Sequence, residues 1–485
     1  MKANPEHGLR AFRRSAAAAA ALAALLLAAC GPAPDGERYA AEKKLFKARK
    51  LREDLSAGGM REEFLAKALE GYRAIVREHG AAAADSVIGD IVVSAQIELA
   101  ELEYRGGLLK EARGDFEAAA EIAKNDPAAL ANALYSAGLI SEELGESARA
   151  ERSYERLAAR FLAVDSLADI VRADPRYLAA PLRLADLAER LGKPDESRAR
   201  LGKAERLFAA VIERERNPEL LREARHNLLA VFLRREDWKR ALAFASELET
   251  LYRDSPGDVS SLLSLEASIH RDGLNDRAGA LALYESIARD HPRSPEAPEA
   301  LLAAAELYRE TGRPDEARAR YERILGEFAG AAPAVVEAQW QLARLEELGG
   351  DIEAAALRYR SIYAQYPETP RGFEAPLRIA SLYRERGAAD AAKAACDKAL
   401  EHYEQLLSGN RSPETRLAAE RGIIRALAED ARWRAAAERM TAIVERYNEL
   451  GERERAIEVL EACAENYPGT ELAGTALGEL ARMKR

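Results

Sequence analysis

Clustered β-branched residues and Asn-Gly or Asp-Gly hairpin turns are scarce in this 485-residue chain, which argues against an all-β fold. Cysteine is nearly missing as well. The three present, Cys30, Cys396 and Cys463, form no C-x-x-C pair, so neither a zinc site nor a dithiol redox centre is indicated. Aromatics make up only 6%. The six histidines, at 7, 79, 226, 270, 291 and 402, are scattered without H-E-x-x-H or similar metal-ligand spacing. Gly-x-Ser-x-Gly is missing, and no glycine-rich phosphate loop precedes a helix. These gaps leave no catalytic constellation, no metal centre and no cofactor site, so the expectation is that the protein is not an enzyme. A basic surplus is lacking too: the formal net charge is -10, which disfavours general nucleic-acid binding or a broad electrostatic grip on anionic lipid.

Alanine runs are abundant. With 48% hydrophobic and 32% charged residues, the composition suits an all-α protein with a sizeable core. Glu and Asp alternate with Arg at helical spacing, as in Glu316 with Arg320 and Arg318 with Glu322, which reads as an ion-paired, solvated face.

Residues 1–29 read as an export signal. Lys2, Arg10, Arg13 and Arg14 precede an unbroken apolar run from Ala16 to Ala29, too short to span a bilayer but the length of a signal-peptide core. The run ends Leu27-Ala28-Ala29-Cys30, which resembles the lipobox of bacterial lipoproteins. That resemblance implies lipidation of Cys30 with acyl chains such as palmitate, a new N-terminus there, and stable anchoring by more than one chain. Gly31 after the cysteine, by likeness to enteric lipoproteins, implies the periplasmic face of the outer membrane. Residues 30–36, Cys30-Gly-Pro-Ala-Pro-Asp-Gly36, read as anchor and linker. Cys396 and Cys463 fall on apolar helix faces and read as small buried hydrophobes.

A repeat runs through the rest. Pairs ending in proline recur at Asp126-Pro127, Asp174-Pro175, Asn217-Pro218, Ser255-Pro256, Ser294-Pro295, Ala332-Pro333, Thr369-Pro370 and Ser412-Pro413. Most suit a helix start, where Asp, Asn, Ser or Thr caps free N–H groups and proline is tolerated. After Pro295, Leu301, Ala304, Ala305 and Tyr308 form one apolar helix face, Gly312 ends the helix, and Ala317, Tyr321 and Ile324 mark a second helix. The same marks recur as Gly107, Ala112, Phe116; Gly145, Ala150, Tyr154; Gly350, Ala355, Tyr359; and Gly387, Ala392, Cys396. Weaker copies run through Ser197, Ala241, Ala280, Ala436 and Ala456. Residues 155–175 and 396–412 exceed a standard unit and are expected to hold extra helical turns.

These marks resemble the tetratricopeptide repeat (TPR) family, with Gly138 and Tyr154, Tyr308 and Tyr321, and Pro292, Pro367 and Pro468 at signature places. The resemblance implies an all-α superhelix, a TPR solenoid of about ten helix-turn-helix repeats over residues 37–485, closed by a C-terminal capping helix from Thr470. It also implies a concave groove, lined by the first helix of each repeat, that holds a protein or extended peptide and no small-molecule substrate. Tyr135 and Trp340 are expected as aromatic anchors in that groove, with Arg344, Arg421 and Arg425 as further contacts. The lysine and asparagines with which some cytosolic members clamp a C-terminal carboxylate are missing. Segments such as Gln365-Tyr366-Pro367-Glu368-Thr369-Pro370 resemble repeats of outer-membrane assembly lipoproteins, including that of the β-barrel assembly machinery and the Tol-Pal coordinator. The readings left open are an envelope scaffold in outer-membrane protein assembly, a lipoprotein of exopolysaccharide or pilus export, and a regulator of cell-wall enzymes.

Overall fold

The computed structural model describes residues 36–58, 62–80, 88–163, 167–409 and 411–483. The expected signal peptide, Cys30 and most of the linker lie outside these residues. Among the described residues the structure is helical, with one isolated bridge between Leu162 and Leu167, and no helix is long and apolar enough to cross a membrane.

The chain divides into two compact units, Met1–Ala241 and Leu242–Arg485. The first holds α1 (Gly36–Gly58), α2 (Glu62–His79), α3 (Gly89–Arg105), α4 (Leu109–Ile122), α5 (Pro127–Glu143), α6 (Ser147–Phe161), α7 (Asp169–Ala173), α8 (Ala180–Arg190), α9 (Pro194–Arg214) and α10 (Pro218–Arg234). Helix α11 (Trp238–Leu251) runs through the division. The second unit continues with α12 (Pro256–Ser268), α13 (Arg277–Asp290), α14 (Glu296–Glu310), α15 (Pro314–Glu327), α16 (Ala332–Gly349), α17 (Ile352–Gln365), α18 (Pro370–Glu385), α19 (Ala389–Ser408), α20 (Pro413–Glu429), α21 (Trp433–Glu449), α22 (Arg453–Asn466) and α23 (Glu471–Met483). Within each unit, helices neighbouring in sequence pack on one another, so contacts are local and the core is a row of small clusters.

Helix starts follow the proline pairs in part. The side chains of Asp126, Asp174, Asn217, Thr369 and Ser412 accept hydrogen bonds from backbone N–H groups of the first turn. Ser255 makes no such bond, Ser294 lies outside the cap with Pro295 taking its place, and Ala332 is already the first residue of α16. Burial of the following helix fixes those three starts without a cap.

The turns inside the repeats are uniform. Gly107, Gly145, Gly192, Gly312, Gly350, Gly387 and Gly451 all have φ between 70° and 81°. Two backbone bonds close such a turn: Gly107 N donates to the Tyr104 carbonyl at 3.0 Å and Leu108 N to the Glu103 carbonyl at 2.9 Å. Two copies that lack glycine, at Glu236 and Ala431, close with the same bonds, while the copy at Asn275 follows a π-helical turn, Ile269–Gly273, and closes from Asp276 N to the His270 carbonyl. Glu236, Asn275 and Ala431 take φ of 54°, 52° and 55° at the matching place. Left-handed backbone is costly for Glu and Ala, so packing of the two helices sets the turn there.

The second-helix marks are core. Ala112, Ala150, Ala241, Ala280, Ala317, Ala355, Ala436 and Ala456 are fully buried, and Tyr154, Tyr321 and Tyr359 fill the space beside them. Gly138 lets Tyr154 in: a Cβ built on Gly138 would sit 2.5 Å from the ring atom Cε1.

Two departures are structural findings. Residues 155–175 do not extend a helix; α6 stops at Phe161, and the short α7 and a single 3-10 turn, Pro175–Ala179, follow before α8 packs onto α6. Residues 396–412 do hold extra turns, since α19 runs for 20 residues. Near the C-terminus the two-helix alternation breaks. Tight turns at Ala431 and Gly451 flank α21 on both sides, so α21 closes one pair with α20 and opens the next with α22. Helix α21 also packs against α23, as a first helix packs on the next first helix.

Candidate protein-binding face

The first-helix face is crossed by a recurring polar device. In the second helix of a pair the tyrosine hydroxyl donates to a glutamate of the first helix, and arginines of the following first helix complete the glutamate's shell. Tyr154 donates to Glu142 at 2.8 Å, and Arg183 reaches the same carboxylate at 3.1 Å. Tyr359 donates to Glu347 at 2.6 Å, with Arg378 Nε and Nη2 at 3.0 and 2.6 Å. Tyr72 of α2 makes the same bond in the opposite sense, donating to Glu98 of the following first helix α3, which also takes Arg49 of the preceding first helix α1. Burial pushes each of these tyrosine hydroxyls well above its ordinary range, so the neutral donor is the resident form. Buried charge-assisted bonds of this kind fix the register between successive units.

Tyr135 and Trp340 pack beside this device, against the rings of Tyr154 and Tyr359, and the structure corrects their expected exposure. Tyr135 is 6% exposed and packs edge-on against Tyr177 at 5.5 Å, with the Arg176 guanidinium 5.8 Å from its ring centre. Trp340 is 7% exposed, lies T-shaped against Tyr359 at 4.8 Å and carries the Arg371 guanidinium 4.3 Å over its ring. The physical reason is that a first helix contacts its own second helix and the next first helix. An aromatic outside the Leu134/Ala137 or Leu342/Ala343 stripe therefore meets a neighbouring unit instead of an open groove.

The three arginines fare differently. Arg344 is exposed on α16, with no ion pair among the described residues. Arg421 and Arg425 stand one turn apart on α20 and together form the ridge between two open clefts of 430 and 590 Å³. The sequence reading missed Arg455 of α22 and Phe373 of α18, which join the second cleft. Their positions depend on the double role of α21, whose signal was the spacing of Ala431 and Gly451, too close for a complete two-helix unit.

The remaining candidates for chemistry have structural partners. Cys396 and Cys463 are free and buried, and burial pushes the Cys463 thiol up to about 11, which leaves it unreactive at neutral pH. Glu151, Glu155 and Glu196 lie close enough to hold a cation, but Arg200 Nη2 meets all three, at 2.5, 3.0 and 2.5 Å.

One acidic pair has a consequence for stability. Burial, and then the carboxylate of Glu249, push Glu266 up to about 8, while burial also raises Glu249 against the opposing charge of His291. Glu249 Oε1 and Glu266 Oε1 are both buried without a hydrogen-bond partner, as expected of two carboxyls that need a shared proton. The folded state binds this proton more tightly than the unfolded state, whose ordinary value is 4.5. Its stabilising effect is therefore complete below that value and is lost as pH rises through about 8. Melting temperature should fall from roughly pH 5 to pH 9, and Glu266→Gln should flatten that slope. A wild-type slope unchanged in the variant would show that other groups set it.

Residues 273–345 match a tetratricopeptide repeat model, and residues 337–369 and 425–470 match a second one. Over those residues the chain carries tetratricopeptide repeats. The match over 425–470 runs from the last residues of α20 through α21 and α22. No curated protein matches the chain. Among solved structures, a tetratricopeptide repeat protein from Parabacteroides merdae is similar at 15% identity and a TM-score of 0.38, covering 60% of this chain and 94% of that one. The apo form of the quorum sensor NprR from B. thuringiensis is similar at 14% identity and a TM-score of 0.34, covering 73% and 98%. A STAND protein with a tetratricopeptide repeat sensor from Pyrococcus horikoshii is similar at 13% identity and a TM-score of 0.40, covering 77% and 54%. Likenesses at this level define no function.

Proposed function

We propose that this tetratricopeptide repeat protein is a lipid-anchored scaffold of the bacterial cell envelope, held through Cys30 at the periplasmic face of the outer membrane. It binds a protein or extended peptide on its first-helix face and serves outer-membrane protein assembly. The observation that carries the scaffold reading is the row of repeats itself. Their polar side chains are spent on joining one unit to the next, as Glu142 and Glu347 are, and the first helices offer exposed positions such as Arg344. The anchor reading rests on the order of basic residues, apolar run and Ala28-Ala29-Cys30.

Cys30→Ser tests the anchor. The wild-type chain should fractionate with membranes and show an acylated Cys30 by mass spectrometry, and the variant should be soluble or unprocessed. Soluble wild-type protein with an unmodified Cys30 would remove the envelope half of the reading and leave the scaffold half standing.

A further inference from the structure

The ridge formed by Arg421 and Arg425 carries more than a generic docking face. The chain has a net charge of -10, yet these two arginines line both clefts and Arg455 joins them in the larger one. Three of the four acidic side chains lining the clefts are occupied elsewhere, and the fourth, Glu414, lies 3.9 Å from Arg455, which also pairs with Glu452 at 2.9 Å. Glu429 pairs with Arg384, Glu368 with Arg411, and Glu374 takes Arg371 at 2.8 Å. Arg425 is exposed and has no carboxylate partner; the neutral Tyr467 hydroxyl is what it faces. Arg421 Nη2 lies 2.8 Å from the exposed Glu458, but neither its Nε nor its Nη2 has an aligned hydrogen-bond acceptor, and both atoms are buried. Glu458 is exposed, so this ion pair is weak and a partner's carboxylate can compete for the guanidinium. Beside the arginines the larger cleft is apolar, lined by Phe373, Leu377 and Leu417.

We propose that this ridge, formed where α21 breaks the two-helix alternation, binds an acidic segment of a partner protein, with side-chain carboxylates on Arg421 and Arg425 and a neighbouring apolar side chain over Phe373. The proposal rests on the protein-binding reading and names the chemistry of its ligand. The exposed Arg425, without a carboxylate partner and beside an apolar wall, selects such a segment by complementarity.

The test uses the full chain and three short, labelled peptides, amidated at the C-terminus. All alternate phenylalanine with one polar residue, which is Glu, Gln or Lys. Fluorescence anisotropy should show salt-sensitive binding of the Glu peptide alone. Arg425→Glu and the milder Arg425→Gln, both at an exposed position and checked for native circular dichroism, should weaken that binding about tenfold or more. Lys393→Glu, exposed on the second helix α19 and outside the clefts, should leave it unchanged. Equal binding of all three peptides, or Glu-peptide binding untouched by Arg425→Glu, overturns the acidic-segment site and leaves the protein-binding face intact. Binding to phosphatidylglycerol vesicles that needs Arg425 and that the Glu peptide does not displace overturns it in favour of a lipid headgroup. No binding of any peptide overturns both this site and the reading beneath it.

Discussion

Trp340→Ala is expected to destabilise the second unit by about 3–5 kcal/mol, the cost of emptying a large aromatic from a packed core. The indole is nearly out of water, meets Tyr359 edge-on and supports the Arg371 guanidinium on its face. Removing it leaves a void between α16, α17 and α18 and releases Arg371, whose Nε also bonds Glu337 at 3.0 Å. Repeat arrays can lose stability unit by unit, so denaturant melting should be followed with hydrogen exchange in this region. Near-native stability together with weakened partner capture would instead restore Trp340 as a groove anchor.

Gly138→Val should rank beside it. A Cβ at this position already overlaps Tyr154, whose ring atoms stand at 2.5, 2.7 and 2.9 Å, and valine adds two methyl groups to the clash. Tyr154 cannot retreat, since it is fully buried and its hydroxyl is tied to Glu142. Overpacking of this kind costs about 1–3 kcal/mol or more, and here it should also uncouple the Glu142–Arg183 link to the next unit. Gly114→Ala is the control. It sits inside α4 with open space where its Cβ would go, so it should leave stability unchanged or raise it by about 0.5–1 kcal/mol. Equal effects of the two substitutions in thermal melts would show that helix propensity, and not the Gly138–Tyr154 contact, controls the site.

Much of the fold was legible because its signal is short-range. Gly312, Ala317 and Tyr321 are fixed by one turn and one close helix contact, and each copy repeats that local demand. Turns at Glu236, Asn275 and Ala431 carried no glycine signal, yet the surrounding helices impose the same backbone. The C-terminal parity break was hidden for a related reason. The marks at Ala436 and Ala456 both read as second helices, although only one helix, α21, lies between the turns at Ala431 and Gly451, so α21, which carries Ala436, is also the first helix to α22, which carries Ala456. The binding face was the least legible part. Tyr135 and Trp340 sit off the main apolar stripe of their helices, but contact with the following unit makes that side core as well, and nothing local in sequence announces a neighbour about forty residues away. The four-residue spacing of Arg421 and Arg425 puts them on one helix face, while the clefts beside them depend on how α18, α20 and α22 pack.

The scaffold claim is tested most directly by photo-cross-linking in intact cells. A photoreactive amino acid placed at Arg344 or Arg425 on the first-helix face should capture one defined protein. The same group at the exposed Glu322 of α15 or Lys393 of α19, on second helices, should not. Capture confined to the first-helix positions is the result predicted. No capture at either, or equal capture from all four positions, would contradict a protein-binding scaffold that works through that face.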